Sequence, residues 1–330
     1  MTEGDRVAAN EATAKIGKVK GRFAPTPSGR MHLGNVFSCL MAWLGARSAG
    51  GTVLLRIEDL DPRAQDPKKA DLLMRDLEWL GLVWDEGPYF QSKRTEVYLE
   101  AIKELGRQGL TYPCFCTRAE LHAATAPHAS DGTYLYAGTC CDLTPEQVAQ
   151  KSLVRPPATR LRVPSANDPQ GTIEFNDLVF GPRKETLAEE CGDFLVRRSD
   201  GVVAYQLAVA VDDGLMGVTQ VVRGHDLLTS TARQLYIARR LGLPQATYGH
   251  VPLLTAPDGR RLSKRDQDLD LGILRESGVS AEKIIGSLAA AAGLVPHETQ
   301  VPASDLVNIF SWDALAAHRE DIVVSGDFLA

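Results

Sequence analysis

Several things are missing from this sequence. No run of about 18 apolar residues occurs, so a membrane-spanning helix is not expected. The first 18 residues are polar and acid-containing, unlike a secretory leader, and read as a disordered lead-in. Cysteine is sparse, six in 330 residues, which argues against a disulfide framework and for buried thiols or metal ligands. An excess of positive charge is also missing: 36 basic against 42 acidic residues leave a net charge of −6. RNA, if bound, must therefore be met by local basic patches, for which residues 155–162, 197–198, 239–240 and 260–265 are the candidates. Repeats and low-complexity segments are lacking too. What is present is a chain 44% hydrophobic, long enough for about two or three domains. A cytoplasmic globular protein is the expectation.

Two distant stretches make sense only together. The first, Arg22-Phe-Ala-Pro-Thr-Pro-Ser-Gly-Arg-Met-His-Leu-Gly-Asn35, follows a strand expected over residues 19–23 and opens a helix. In that helix Leu33, Val36, Phe37, Leu40, Met41 and Leu44 recur at helical spacing until Gly50-Gly51. A helix N-terminus offers unpaired N–H groups at the positive end of its dipole, and Gly29 and Gly34 let phosphates approach. His32 stands at that entrance, placed to donate to a phosphate oxygen. The second stretch, Gly259-Arg-Arg-Leu-Ser-Lys-Arg-Asp266, reads as a mobile basic loop after the strand-like Val251-Pro-Leu-Leu254. Its Lys264 suits charge building on a transferring phosphate group.

The pair resembles the two signatures of class I aminoacyl-tRNA synthetases, with His32-Leu-Gly-Asn35 in place of the first and Arg261-Leu-Ser-Lys-Arg265 in place of the second. That resemblance implies a Rossmann-like, parallel-sheet α/β catalytic domain. The residues agree, because Thr52-Val-Leu-Leu-Arg-Ile57 completes a β-α-β start and ends in Glu58-Asp-Leu-Asp61. Ligands in such sheets bind beyond the carboxyl ends of the strands, which gathers Arg22, His32 and Glu58 at one crevice.

Helices are expected over 68–80 and 94–108, with residues 85–92 as a turn-rich loop between them. From Tyr112 short strands and two capping boxes, Thr117 with Glu120 and Thr144 with Gln147, suggest an inserted α+β subdomain lasting to about Arg198. Ser199-Asp-Gly201 reads as a tight turn into a strand-like apolar run over 202–211, which Asp212-Asp-Gly214 closes. A strand at 219–222, its polar exit Arg223-Gly-His-Asp226 and a helix over 227–241 resume the sheet domain. Helices over 281–292, capped by Ser280, and over 304–319 make a small appendage. The expected division is thus 1–18 lead-in, 19–111 first half of the catalytic domain, 112–198 insertion, 199–258 second half, and 259–330 loop and appendage without an anticodon-binding domain.

Cys114 and Cys116 alternate along an extended segment, and Cys140-Cys141 bring more sulfur. Three cysteines plus one nitrogen or oxygen ligand suit tetrahedral zinc, although ordinary buried thiols answer the same spacing. His122, His128 and Cys141 compete for the fourth place. Short glutamyl-type synthetases carry Cys-x-Cys followed by Tyr-x-x-x-Cys, and Tyr136-Ala-Gly-Thr-Cys140 fits; the resemblance therefore implies Tyr136. Cys39 and Cys191 read as buried thiols.

The resemblance to glutamyl-type synthetases spans about residues 20–275 and implies the rest of the site. His32 and Lys264 would be catalytic. ATP, with Mg2+, would be held by Thr26, His32, Gly34, Asn35, Leu262, Ser263, Lys264 and Arg265. L-Glutamate would be held by Arg22, Phe23, Ala24, Pro25, Thr26, Glu58, Tyr205 and Arg223. Charge agrees, because two arginines and one glutamate answer two carboxylates and one ammonium. Taken singly, each has a plainer reading: ion-pair arginines, a strand-end charge, a core tyrosine, a helix-cap histidine. The chain most resembles the shortened branch of the family, which lacks the anticodon-reading region. That implies a monomer that transfers glutamate to queuosine in the anticodon loop of tRNA(Asp). A minimal or split glutamyl-tRNA synthetase is the alternative, and a nucleotidyltransferase of another small acid the second.

Overall fold

The computed structural model describes residues 18–123, 135–260, 262, 270–325 and 328–329. β1 (Lys20–Phe23) leads through the Pro/Gly-rich turn into α1 (Leu33–Ser48). The six apolar residues of the expected stripe are all fully buried, so α1 is a core helix. It stops at Gly50, whose φ of 64° is left-handed. A Cβ on Gly51 would lie 2.1 Å from the Val19 carbonyl oxygen, so the immediate turn into β2 (Thr52–Ile57) requires glycine. β2 runs parallel to β1 with Arg22 opposite Leu54.

Asp61 and Asp66 each cap the turn that follows them, and α2 (Pro67–Trp79) starts with proline at its first position. The stretch expected as a loop over 85–92 contains β3 (Glu86–Phe90), parallel to β2. β3 is the outer strand of the order β1-β2-β3, the one position where Pro88 removes no ladder bond that the sheet needs. A register shift between Leu54 and Arg56 accommodates it. α3 (Thr95–Arg107) then returns the chain toward β4 (Thr111–Cys114).

α4 (Arg118–Ala123) and α5 (Pro145–Val154) begin at the two capping boxes read from the sequence: Glu120 accepts from the Thr117 N–H at 2.6 Å and Gln147 from the Thr144 N–H at 2.9 Å. β4, β5 (Ala158–Leu161) and β8 (Phe194–Arg197) form a small antiparallel sheet. β6 (Thr172–Asp177) and β7 (Gly181–Thr186), inside the stretch expected as an insertion, make a hairpin that belongs instead to the catalytic sheet.

The tight turn at 198–202 is present, closed by the Arg198 N–H to the Val202 carbonyl at 2.8 Å. The apolar run after it is not a strand but α6 (Tyr205–Leu215). Its length decides the matter: a continuous apolar stretch of about ten residues exceeds an ordinary buried strand and fills a core helix. β9 (Gln220–Gly224), α7 (Ser230–Arg240) and β10 (Thr247–Val251) follow, giving the order β7-β6-β10-β9. β9 lies alongside β1, where Thr219 donates its N–H to the Lys20 carbonyl at 2.9 Å and accepts the Lys20 N–H at Oγ1 at 2.8 Å.

β11 (Leu254–Thr255), α8 (Leu271–Glu276) and α9 (Ala281–Ala291) come next, Ser280 capping α9 through the Lys283 N–H at 3.1 Å. The segment expected as one helix over 304–319 is divided into a 3₁₀ turn (Ala303–Leu306) and α10 (Trp312–Ala317), capped by Ser311. β12 (Ile322–Val323) pairs parallel to β11. Among the described residues no helix is long and apolar enough to cross a membrane.

The appendage is part of the core. The Trp312 ring packs where α1 and β10 are bare: a Cβ on Gly45 would come within 2.6 Å of it and one on Gly249 within 3.0 Å. Replacing Trp312→Ala is expected to lower unfolding free energy by about 2–4 kcal/mol, read by urea denaturation of the whole chain. A loss below about 0.5 kcal/mol would mean that the tail merely rests on the sheet.

Candidate active site

The turn after β1, the entrance of α1 and the carboxyl ends of β2 and β9 surround a cavity of about 460 Å³. Arg22, Phe23, Ala24, Pro25, Thr26, His32, Asn35, Glu58, Tyr205 and Arg223 all line it, although they come from five segments of the chain. The turn is pinned to the sheet by the Glu58 N–H, which donates to the Pro25 carbonyl at 3.0 Å. His32 is the N-cap residue of α1, and its carbonyl accepts the N–H groups of Asn35 and Val36. Gly34 does not line the cavity; a Cβ there would stand 3.2 Å from the His32 ring, so glycine keeps the ring in place.

Two arginines face the cavity from below. Arg22, 4% exposed, donates from Nη1 to the Val222 carbonyl at 3.0 Å and lies 3.6 Å from Asp213. Arg223 is equally buried and donates to Gln234 Oε1 at 2.8 Å, Thr231 Oγ1 at 3.0 Å, the Leu227 carbonyl at 3.1 Å and His250 Nε2 at 3.0 Å. Glu58 is the counter-charge. Burial pushes its carboxyl up from the ordinary value, against which Arg56 and Arg22 pull down. Tyr205, the first residue of α6, has its phenol pushed up by burial and stays a neutral donor. A small acid with one ammonium group finds matching charges here.

Ser263, Lys264 and Arg265 of the second signature lie outside the described residues. Leu262 is buried in the core rather than in the cavity wall, and its N–H donates to the Leu254 carbonyl at 3.0 Å. On the far side Asp270 bridges to His32, and the Leu271 N–H donates to the Met31 carbonyl at 3.1 Å. Both flanks of the second motif are therefore fixed beside the first.

In the insertion, Cys114, Cys116 and Cys140 bring three sulfurs within 4.8 Å of one another. Cys116 and Cys140 Sγ are 3.7 Å apart, and the Tyr136 hydroxyl is 3.6 Å from both Cys114 and Cys116. A tetrahedron with metal–sulfur bonds of about 2.3 Å and a metal–oxygen bond of about 2.0 Å has edges of about 3.8 and 3.5 Å, which these three separations match. Cys141 is turned away toward Asp142 at 3.2 Å. The His122 side chain and His128 lie outside the described residues. Burial would push the Cys114 thiol up, but the Arg160 guanidinium at 3.3 Å, with the Cys116 N–H and Tyr136, pulls it below its ordinary value. Cys191 is a buried thiol as expected, whereas Cys39 is half-buried and lines the cavity, where its surroundings raise the thiol to about 12.

The family model for the catalytic domain of class I tRNA synthetases of the E and Q type matches residues 18–315. The chain belongs to that family. It is 48% identical to the glutamyl-Q tRNA(Asp) synthetase of Nitratidesulfovibrio vulgaris, over 89% of this chain and 92% of that one. Identity to the glutamyl-Q tRNA(Asp) synthetase of Symbiobacterium thermophilum is 46%, over 94% and 97%. Glutamate–tRNA ligase 2 of Alkalilimnicola ehrlichii is 44% identical over 90% of this chain but 64% of its own length. The crystal structure of a glutamate tRNA ligase from Elizabethkingia meningosepticum in complex with its amino acid superposes with a TM-score of 0.79 at 26% identity, covering 95% of this chain and 68% of that one.

One layer of this class I synthetase domain escaped the reading of the sequence. Arg56, fully buried near the carboxyl end of β2, donates to Asp213 at 2.6 Å and to Glu58 at 3.2 Å, and its Nε lies 3.7 Å from Asp212. Burial alone would loosen its proton; the three carboxylates more than offset that and hold it above the ordinary value. Asp212 also accepts from Tyr98 at 2.8 Å, Arg94 at 2.8 Å and Gln91 at 3.0 Å. These aspartates do not mark a surface end to the apolar run; they are buried ion-pair partners of arginines. The available signal was an arginine inside a buried-type strand, since such a charge demands partners. Arg56→Leu is expected to cost about 3–5 kcal/mol in urea unfolding, because it leaves Asp212 and Asp213 buried without their common counter-charge. An unchanged midpoint would show the carboxylates to be satisfied without it.

Proposed function

We propose that the chain activates L-glutamate with ATP and transfers it to queuosine in the anticodon loop of tRNA(Asp). One observation carries the reading: Arg22, Glu58, Tyr205 and Arg223 line a single cavity together with His32, in a chain that matches two enzymes named for this activity along nearly their whole length.

In the first step a glutamate α-carboxylate oxygen attacks the α-phosphorus of ATP, forming glutamyl-adenylate and releasing pyrophosphate. Arg22 and Arg223 hold carboxylate charge, Glu58 takes the ammonium group and Tyr205 donates to the substrate. Discrimination against glutamine follows, since each charge-assisted bond from arginine to a carboxylate gives about 1.5–3 kcal/mol that a neutral amide forgoes. His32 and the N–H groups at the entrance of α1 receive the triphosphate, with Thr26 and Asn35 beside them and Gly34 leaving room for the His32 ring. Lys264, with Ser263 and Arg265, meets the charge on the departing pyrophosphate. Mg2+ accompanies ATP. In the second step a hydroxyl of the queuosine cyclopentene-diol attacks the acyl carbon; an ester forms and AMP leaves. A tRNA substrate supports a cytoplasmic place of work.

Cys114, Cys116, Cys140 and Tyr136 would hold one structural zinc ion, fixing the loops of the insertion. Such an ion can supply about 10–16 kcal/mol at neutral pH, comparable with the stability of a domain. Cys140→Ser should reduce bound zinc, by metal analysis, from one equivalent to well below half and melt the insertion. Full occupancy in that variant would remove the assignment.

Transfer of labelled glutamate to tRNA(Asp) with and without queuosine tests the main reading. Incorporation should require the modified base, and pyrophosphate exchange should depend on glutamate without tRNA. The similarity to glutamate–tRNA ligases favours one rival, a minimal enzyme of that kind; efficient esterification of the 3′ end of tRNA(Glu) would install it instead.

A further inference from the structure

Beneath the cavity Asp177, His250 and Arg223 stand in a row across three neighbouring strands. Asp177 closes β6, His250 is on β10 and Arg223 is directly opposite it on β9. They are 1%, 0% and 5% exposed, and of the three only Arg223 lines the cavity.

Their hydrogen bonds fix each proton. Arginine Nε always carries hydrogen, so the 3.0 Å bond from Arg223 Nε to His250 Nε2 requires a bare, accepting Nε2. The ring proton is then on Nδ1, which donates to Asp177 Oδ2 at 2.6 Å. Asp177 itself is held by the N–H groups of Val179, Phe180 and His250 on Oδ1, at 3.0, 2.9 and 3.2 Å. Burial lowers His250 to about 4, with Arg223 acting in the same sense against Asp177, so the ring is neutral at neutral pH. The two ring-nitrogen bonds, to Asp177 and Arg223, fix the orientation of the imidazole.

We propose that Asp177 and His250 are positioning residues for the amino acid. Asp177 sets the His250 tautomer, and the bare Nε2 holds the Arg223 guanidinium aimed into the cavity. Neither touches substrate. The proposal rests on the glutamate reading above, in which Arg223 receives a substrate carboxylate. It follows the logic by which a buried carboxylate selects the tautomer of a histidine elsewhere in enzymes.

Asp177→Asn in the full chain is the test. The asparagine oxygen can still take the backbone N–H groups, while its NH2 meets Nδ1 and forces the ring hydrogen onto Nε2, against Arg223. Three results are expected. 15N NMR should show His250 protonated on Nδ1 in the unsubstituted protein and on Nε2 in the variant. In pyrophosphate exchange the KM for glutamate should rise about tenfold to a hundredfold, with the KM for ATP within about twofold. His250→Gln with Asp177 kept should lose far less than Asp177→Asn, because a carboxamide can turn its oxygen to Arg223 and its NH2 to the Asp177 carboxylate.

A merely structural role predicts the opposite: equal losses in kcat and both KM values, with His250→Gln as damaging as Asp177→Asn. That pattern, or an unchanged KM for glutamate, would overturn the proposal. If Asp177→Asn does not fold, the tautomer in the unsubstituted protein decides, since hydrogen on Nε2 there excludes the arrangement. Should the unsubstituted enzyme show no glutamate-dependent exchange, the activity itself fails, an outcome distinct from active enzyme with an insensitive variant.

Discussion

A buried set of opposite charges under the cavity is the constraint on which the rest depends. Arg56, Arg22 and Arg94 face Asp212, Asp213 and Glu58, drawn from β1, β2, the start of α3 and α6. Charges taken out of water stabilise little unless each is answered, and here each is. The consequence is geometric. β2 cannot shift relative to α6 without stranding a charge, so Glu58 at the strand end and Tyr205 at the helix start keep a fixed separation across the cavity. A site that works by holding an acid against a nucleotide needs such fixity more than it needs reactive groups.

The same principle governs the opposite wall. Arg223 has four acceptors, and its guanidinium therefore has one orientation. Gln234, Thr231 and His250 come from α7 and β10, so the packing of that helix on the sheet is transmitted to a single side chain at the cavity. In the proposed reading, specificity for a carboxylate is a property of this support as much as of the arginine.

Much of this was legible in the sequence because local patterns encode it. The α1 stripe, the glycine stop at 50–51, both capping boxes and the Ser280 cap are short-range rules, and the structure follows them. The cavity residues were legible only through their order along the chain, as a resemblance. The failures share one cause: burial set by partners far away in sequence. Pro88 looked like a loop residue because nothing local says that β3 is an edge. The run 202–211 looked like a strand because its aspartates seemed to end it, whereas Arg56, more than 150 residues upstream, makes them core residues. The hairpin β6–β7 fell inside the insertion for the same reason, its pairing with β10 being invisible to local pattern.

The pairing of β12 with β11 ties the root of the second signature to the appendage. Leu254 and Thr255 lie at the root of the second signature, and their edge is closed by Ile322 and Val323 while Asp321 takes the Leu253 N–H. That closure is supplied from far along the chain, so the strand at the root of the loop keeps an open edge until the appendage has packed against the sheet.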